Sequence, residues 1–113
     1  MLAFVIAASN QTASSRRVSG SSSTTTPAGL LVTRRVFGRR WRVAWCVSYY
    51  ESRHYLGARN GANLGPWQVN VTAHPWANPY LLTHSWRYSA RVAFRISAGG
   101  RDWSAWTTAS LCR

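Results

Sequence analysis

From Trp41 to Glu51 the chain sets large apolar residues around most of a helix circumference, and this run constrains the fold more than any other. Trp41, Trp45 and Tyr49 recur every four residues, with Val43, Val47 and Tyr50 in the neighbouring stripe. Side chains at that spacing share one face of an α-helix. So wide an apolar face predicts a helix buried on most sides. Cys46 falls inside the run, Glu51 in its last turn and Gly57 beyond its end.

A second helix is predicted from about Ser85 to Ala98, with Ser85 as N-cap and Gly99-Gly100 as the stop. Trp86, Ala90, Ala93, Phe94 and Ile96 supply its apolar side, and Arg87, Arg91 and Arg95 form a basic stripe on another face. Between the helices, Asn60-Gly61-Ala62-Asn63-Leu64-Gly65 is turn chemistry dense enough for a tight hairpin-like loop. Trp67–Thr72 reads as an extended piece or as a helix start. The prolines of His74-Pro75-Trp76-Ala77-Asn78-Pro79-Tyr80 make that segment irregular. The expected fold is mainly α, a small domain with a short turn-rich or hairpin segment.

Ahead of this domain the chain changes character. Met1–Ser9 is apolar but far shorter than the roughly 20 residues needed to span a bilayer. It is similar to the apolar part of a secretory signal without the positive start, and the alternative is a buried or partner-docking end. Asn10–Pro27 is rich in Ser and Thr, has little to bury, and is expected to be a disordered linker. Arg16-Arg17, Arg34-Arg35, Arg39-Arg40 and Arg42 make it a basic arm. The expected division is an apolar start plus arm over residues 1–35 and a folded domain over 36–113, its order beginning near Val36–Trp41.

The charge is lopsided. Fourteen basic residues, all of them Arg, face only Glu51 and Asp102, for a net charge of +12. Such a chain is held near polyanions: anionic cell-wall polymers, an anionic membrane surface, or nucleic acid through the basic arm. Two cysteines do not make a structural zinc site, which takes four ligands. A Cys46–Cys112 disulfide is expected instead, closing a loop of about 65 residues and contributing about 4 kcal/mol. It would imply an oxidising compartment and anchor the Asp102–Cys112 tail beneath Glu51. The alternative is two buried, unpaired thiols. His54 follows Glu51 by three residues, but His74 and His84 stand in unrelated contexts, so no metal and no cofactor are expected.

With so little acid in the chain, a carboxylate that ends a Trp- and Tyr-rich run points to catalysis. Protonating a glycosidic oxygen needs a carboxyl that keeps its proton near neutral pH, which an apolar wall promotes by disfavouring the charged form. Trp45, Trp67 and Tyr50 are available walls. The arginines oppose it, though exposed charges are screened over about 8–10 Å.

Cys46-x4-Glu51-Ser52, Ala58, Asn60-Gly61, Gly65-x-x-Gln68-Val69-Asn70 and the late Trp/Cys tail together resemble the lysozyme-like superfamily. The closest likeness is to soluble lytic transglycosylases and resuscitation-promoting-factor domains of actinobacteria, with similar domains in the lysins and tail proteins of their phages. The resemblance covers Trp41–Cys112. It implies Glu51 as general acid/base, Gln68 lining the sugar cleft and Ser52 supporting the local hydrogen bonding. Asn70 and Thr72 are carried with them as substrate-binding candidates. Trp67 and Trp76, which flank the cleft segment, are the candidate sugar-stacking platforms. Two features depart from the family pattern: Pro66-Trp67 stands before the Gln, and Thr72 falls four rather than five residues after it.

Ordinary glycosidases use two carboxylates. Asp102 is expected to pair with an arginine or cap a turn, leaving Glu51 alone. A one-Glu site suits a lytic transglycosylase over muramidase-type hydrolysis. The implied substrate is the MurNAc-GlcNAc strand of peptidoglycan, and the implied place is extracellular, wall-associated or in a phage particle. The alternatives are a non-enzymatic basic nucleic-acid-binding or packaging protein, which would have no use for Glu-Ser with Gly-x-x-Gln, and a degenerate lysozyme fold that binds glycan without cutting it.

Overall fold

The computed structural model describes residues 27–113. The expectations placed on the apolar start and on the Ser/Thr-rich stretch before Pro27 lie outside those residues. Helix α1 (Ala28–Phe37) runs through a 3-10 turn (Gly38–Arg40) into α2 (Trp41–Ser52). Three two-residue strands follow, β1 (Arg59–Asn60), β2 (Asn63–Leu64) and β3 (Val69–Asn70). A single helical turn, α3 (Pro79–Leu82), leads to α4 (Trp86–Ile96), and a 3-10 segment (Thr107–Cys112) closes the described chain.

The folded part begins earlier than the residue pattern suggested. Arg34 and Arg35, read with the basic arm, sit in the last turn of α1, where cations complement the helix dipole. Gly29, Val32, Thr33 and Val36 are poor intrinsic helix formers, which hides α1 from a propensity reading. Packing stabilises it instead: α1 lies against both α2 and α4. Gly29 supplies the close approach, because a Cβ there would run into the Trp86 indole.

The two predicted helices form where expected. Helix α2 ends at Arg53, a left-handed C-cap, whose N–H donates to the Tyr49 carbonyl at 2.7 Å. On α4, the Ser85 side chain accepts from the Tyr88 N–H at 3.0 Å. The hairpin reading of Asn60–Gly65 holds as well. Arg59 pairs with Leu64 and Asn60 with Asn63, so Gly61-Ala62 is a two-residue turn. Gly61 is at φ 61°, where a primed hairpin turn calls for positive φ. Strand β3 adds antiparallel to β2, with Leu64 opposite Val69. Of Trp67–Thr72, expected as an extended piece or a helix start, only Val69–Asn70 is extended; Trp67 and Gln68 lie in the turn before it, with Gln68 at φ 49°, and Val71 and Thr72 in the turn after it.

The core sits between α1, α2, α4 and this small sheet, with Trp67 at its centre. Trp67 is fully buried; its ring lies 6.1 Å from Phe37 and edge-on to Trp86 at 5.9 Å. Its Nε1 donates to the Ala44 carbonyl at 2.9 Å, and its carbonyl accepts from Trp106 Nε1 at 2.7 Å. One residue thus joins the aromatic helix to the C-terminal tail. The Cys46–Cys112 disulfide makes the same connection covalently.

Two outcomes follow from this packing. Trp67→Ala should destabilise by about 3–5 kcal/mol, a large share of a small domain's margin, measured by denaturant unfolding. Reducing the disulfide should lower the melting temperature by roughly 15–30 °C, with activity falling in step with the fold.

Candidate active site

The carboxyl of Glu51 is placed by helix α2 and closed in by the tail. Glu51 is fully buried, and Thr108 Oγ1 donates to its Oε2 at 2.7 Å. Its Oε1 is buried without a hydrogen-bond partner. Burial holds the Glu51 pKa above its ordinary value, and the Thr108 hydrogen bond opposes that rise only in part. Desolvation by burial is the largest influence on that pKa. Burial thus favours the protonated form of this carboxyl.

Ser52 ties the Glu51 helix to the Gly-x-x-Gln segment. Its hydroxyl lies 2.8 Å from the Pro66 carbonyl and 3.0 Å from the Ser48 carbonyl, and it accepts from the Tyr55 N–H at 3.2 Å. Ser52 therefore acts on the site through the backbone rather than on a sugar. Gly65 is required where it stands: its φ is +82°, and a Cβ would collide with the Leu82 carbonyl. The turn it makes brings Gln68 inward. Gln68 is 4% exposed, and its Nε2 donates to the carbonyls of Gly65 at 3.0 Å and Ala58 at 3.3 Å. Its Oε1 is left buried and unpaired. A glutamine clamped by its donor end presents a fixed acceptor to an N–H or O–H of a ligand.

Gln68 is one wall of a cavity of about 230 Å³. Asn70, Asn63, His74 and Trp106 are among its other walls. Asn70 is in place but partly spoken for, since its Oδ1 accepts from the N–H groups of Thr72 and Ala73, both at 2.9 Å. Trp106 lines the cavity two residues from Thr108, so the tail links the cavity wall to the acid.

Other expected residues stand elsewhere. Trp67 is a core residue and not a sugar platform, because its ring is buried and its N–H is committed to Ala44. Thr72 is exposed on the turn capped by Asn70 and does not line the cavity. Trp76 is 42% exposed, with the Arg95 guanidinium 4.0 Å from its ring centre. It stands outside the cavity, edge-on to His74 at 5.8 Å. Asp102 caps a turn, as expected, its Oδ1 accepting from the Ser104 N–H at 3.0 Å. His54 stacks on Trp45 at 3.5 Å, its Nε2 lying 2.9 Å from the Trp45 carbonyl. It braces the end of α2.

Glu51 is buried at the end of α2 and its neighbour Ser52 bonds to the Gly-x-x-Gln turn, while Glu51 itself is not among the residues that line the Gln68 cavity. A family model described as a lysozyme-like domain matches residues 36–108. The chain belongs to the lysozyme-like domain family. No curated protein and no solved structure matches it. At the level of the family, a lysozyme-like domain goes with cleavage of the peptidoglycan glycan strand.

The tail supplied what residue reading missed. Thr108, Trp106, Asn63 and His74 carry no motif. The expected disulfide held the signal for Thr108: Cys112 and Thr108 are four residues apart, Cys46 and Glu51 five, so pairing the sulfurs sets Thr108 near the acid. Removing this hydroxyl, as in Thr108→Val, takes away the hydrogen bond that lowers the Glu51 pKa. A general acid works protonated, so its activity falls as pH rises through that pKa. The alkaline limb of the activity profile should therefore move to higher pH in Thr108→Val. An unmoved limb would mean that Glu51 does not set it.

Proposed function

We propose that this lysozyme-like domain is a lytic transglycosylase that cuts the MurNAc-GlcNAc strand with Glu51 as its only acid/base. The observation that carries the reading is the state of that carboxyl: buried, held toward its protonated form, and unaccompanied by the other acid of the chain. In the first half of the reaction Glu51 gives its proton to the glycosidic oxygen as the C1–O bond breaks. In the second, the 6-hydroxyl of the same sugar bonds to C1 and returns a proton to the Glu51 carboxylate. No water is consumed and the enzyme ends as it began. Gln68 Oε1 is the natural acceptor for a sugar amide or hydroxyl beside that bond. The disulfide supports a working place outside the reducing cytoplasm, at a cell wall or within a phage particle.

Glu51→Gln separates chemistry from fold. It should cut the release of muropeptides from isolated walls by about 10²–10⁴-fold, the range of a general acid. Wild-type rates in the variant would sink the assignment. The variant should also be more stable than wild type at neutral pH. Because the folded pKa of Glu51 is raised, its contribution is present at low pH and lost as pH climbs through that pKa. A neutral amide escapes that loss, so the difference in melting temperature should be smallest near pH 4 and grow toward pH 8.

A further inference from the structure

The face of the molecule made by α1 and α4 carries a second feature. Most of the described arginines with a partner lie on aromatic rings: Arg34 and Arg42 on Trp41, Arg53 on Tyr49, Arg95 on Trp76. Arg35, Arg87 and Arg91 differ. They are exposed and line a groove of about 370 Å³ whose other walls are Val32, Val36 and Phe94. No carboxylate side chain is free to neutralise them, because Glu51 is buried against Thr108 and Asp102 is capping its own turn. Three unpaired guanidiniums around an apolar floor call for a ligand that is both anionic and apolar.

The apolar side continues beyond the groove. Leu31 is 48% and Phe94 38% exposed. Leu31 and Arg35 lie one turn apart on α1, as do Val32 and Val36. On α4, Arg87 and Arg91 are one turn apart, with Phe94 three residues further. Ile96, which lines the Gln68 cavity, lies roughly 140–180° around α4 from Arg87 and Arg91 at 3.6 residues per turn. The groove and the proposed glycan site thus occupy different faces.

We propose that this face is a docking site for an anionic phospholipid surface, with headgroup phosphates held by Arg35, Arg87 and Arg91 and with Leu31 and Phe94 entering the acyl boundary. Guanidiniums match phosphate oxygens in pairs. Apolar side chains ringed by arginines are what an interfacial, non-spanning contact uses. Among the described residues no helix is long and apolar enough to cross a membrane, so the contact lies at the surface. Single-stranded nucleic acid fits less well, since the floor is aliphatic but for Phe94 and offers no row of rings for bases. Docking here would hold the opposite, cavity-bearing face away from the membrane.

The full chain should co-sediment with vesicles of phosphatidylglycerol and phosphatidylcholine and not with phosphatidylcholine alone. Each basic residue at such a surface accounts for about fivefold in binding. Arg87→Gln/Arg91→Gln should therefore weaken binding on the order of thirtyfold, and Arg35→Gln about fivefold. Leu31→Ser should weaken it severalfold as well, all at an unchanged melting temperature. Binding retained within twofold by the double variant, or no preference for anionic vesicles, would overturn the proposal. So would an unaltered Leu31→Ser whose vesicle binding is displaced by soluble polyphosphate, which marks a site for soluble polyanions. Equal retention on duplex DNA, lost in the same variants, would overturn it too. Vesicle binding is read without glycan cleavage, so this outcome is independent of the assigned activity.

Discussion

The hydrogen bonds at Trp67 are the constraint on which the rest of the structure depends. The indole N–H reaches the Ala44 carbonyl in α2, and the Trp67 carbonyl receives the Trp106 indole N–H. A buried indole left without an acceptor would carry a desolvation cost of about 1–3 kcal/mol. These bonds therefore specify one arrangement of helix, turn and tail. Because Gln68 is the next residue, the same anchor fixes the start of the cavity wall. Ser52, reaching to Pro66, sets the spacing from the other side. Stability and the geometry of the candidate site in this small domain rest on shared bonds.

The raised pKa of Glu51 follows from burial more than from any partner. Glu51 sits in a chain of net charge +12, yet its pKa is driven upward, desolvation outweighing the Thr108 hydrogen bond. The described arginines escape that contest by spending their charge at the surface, several over aromatic faces. A site made this way needs no second carboxylate to keep the first one protonated. It does need a tail held in place. The Cys46–Cys112 bridge and the Trp106 hydrogen bond both serve that end, which places the tail against Glu51 and the cavity although it carries no motif.

Much of this was legible in the residues, for identifiable reasons. Helices α2 and α4 announce themselves because their apolar residues repeat with the helix period and Ser85 is a standard cap. The Asn60–Gly65 turn is legible because only certain residues accept positive φ. Glu51 and Gln68 are legible through their spacing. Helix α1 was not, since its β-branched and glycine residues disguise a helix stabilised by Trp86 and its neighbours. Trp67 was misread for a related reason: a large aromatic beside a cleft motif can stack on sugar or fill the core, and only tertiary packing chooses. Thr108 was hidden because hydrogen bonds between residues 57 apart in sequence leave no local pattern.

Whether one carboxylate performs both halves of the reaction is decided by the new chain end. Mass spectrometry of glycan released from isolated walls, digested in ¹⁸O-labelled water, reads that end directly. A 1,6-anhydro end without label is the expected result. A labelled reducing end would mean that water, not the 6-hydroxyl, attacks, and would contradict the single-carboxylate transglycosylase.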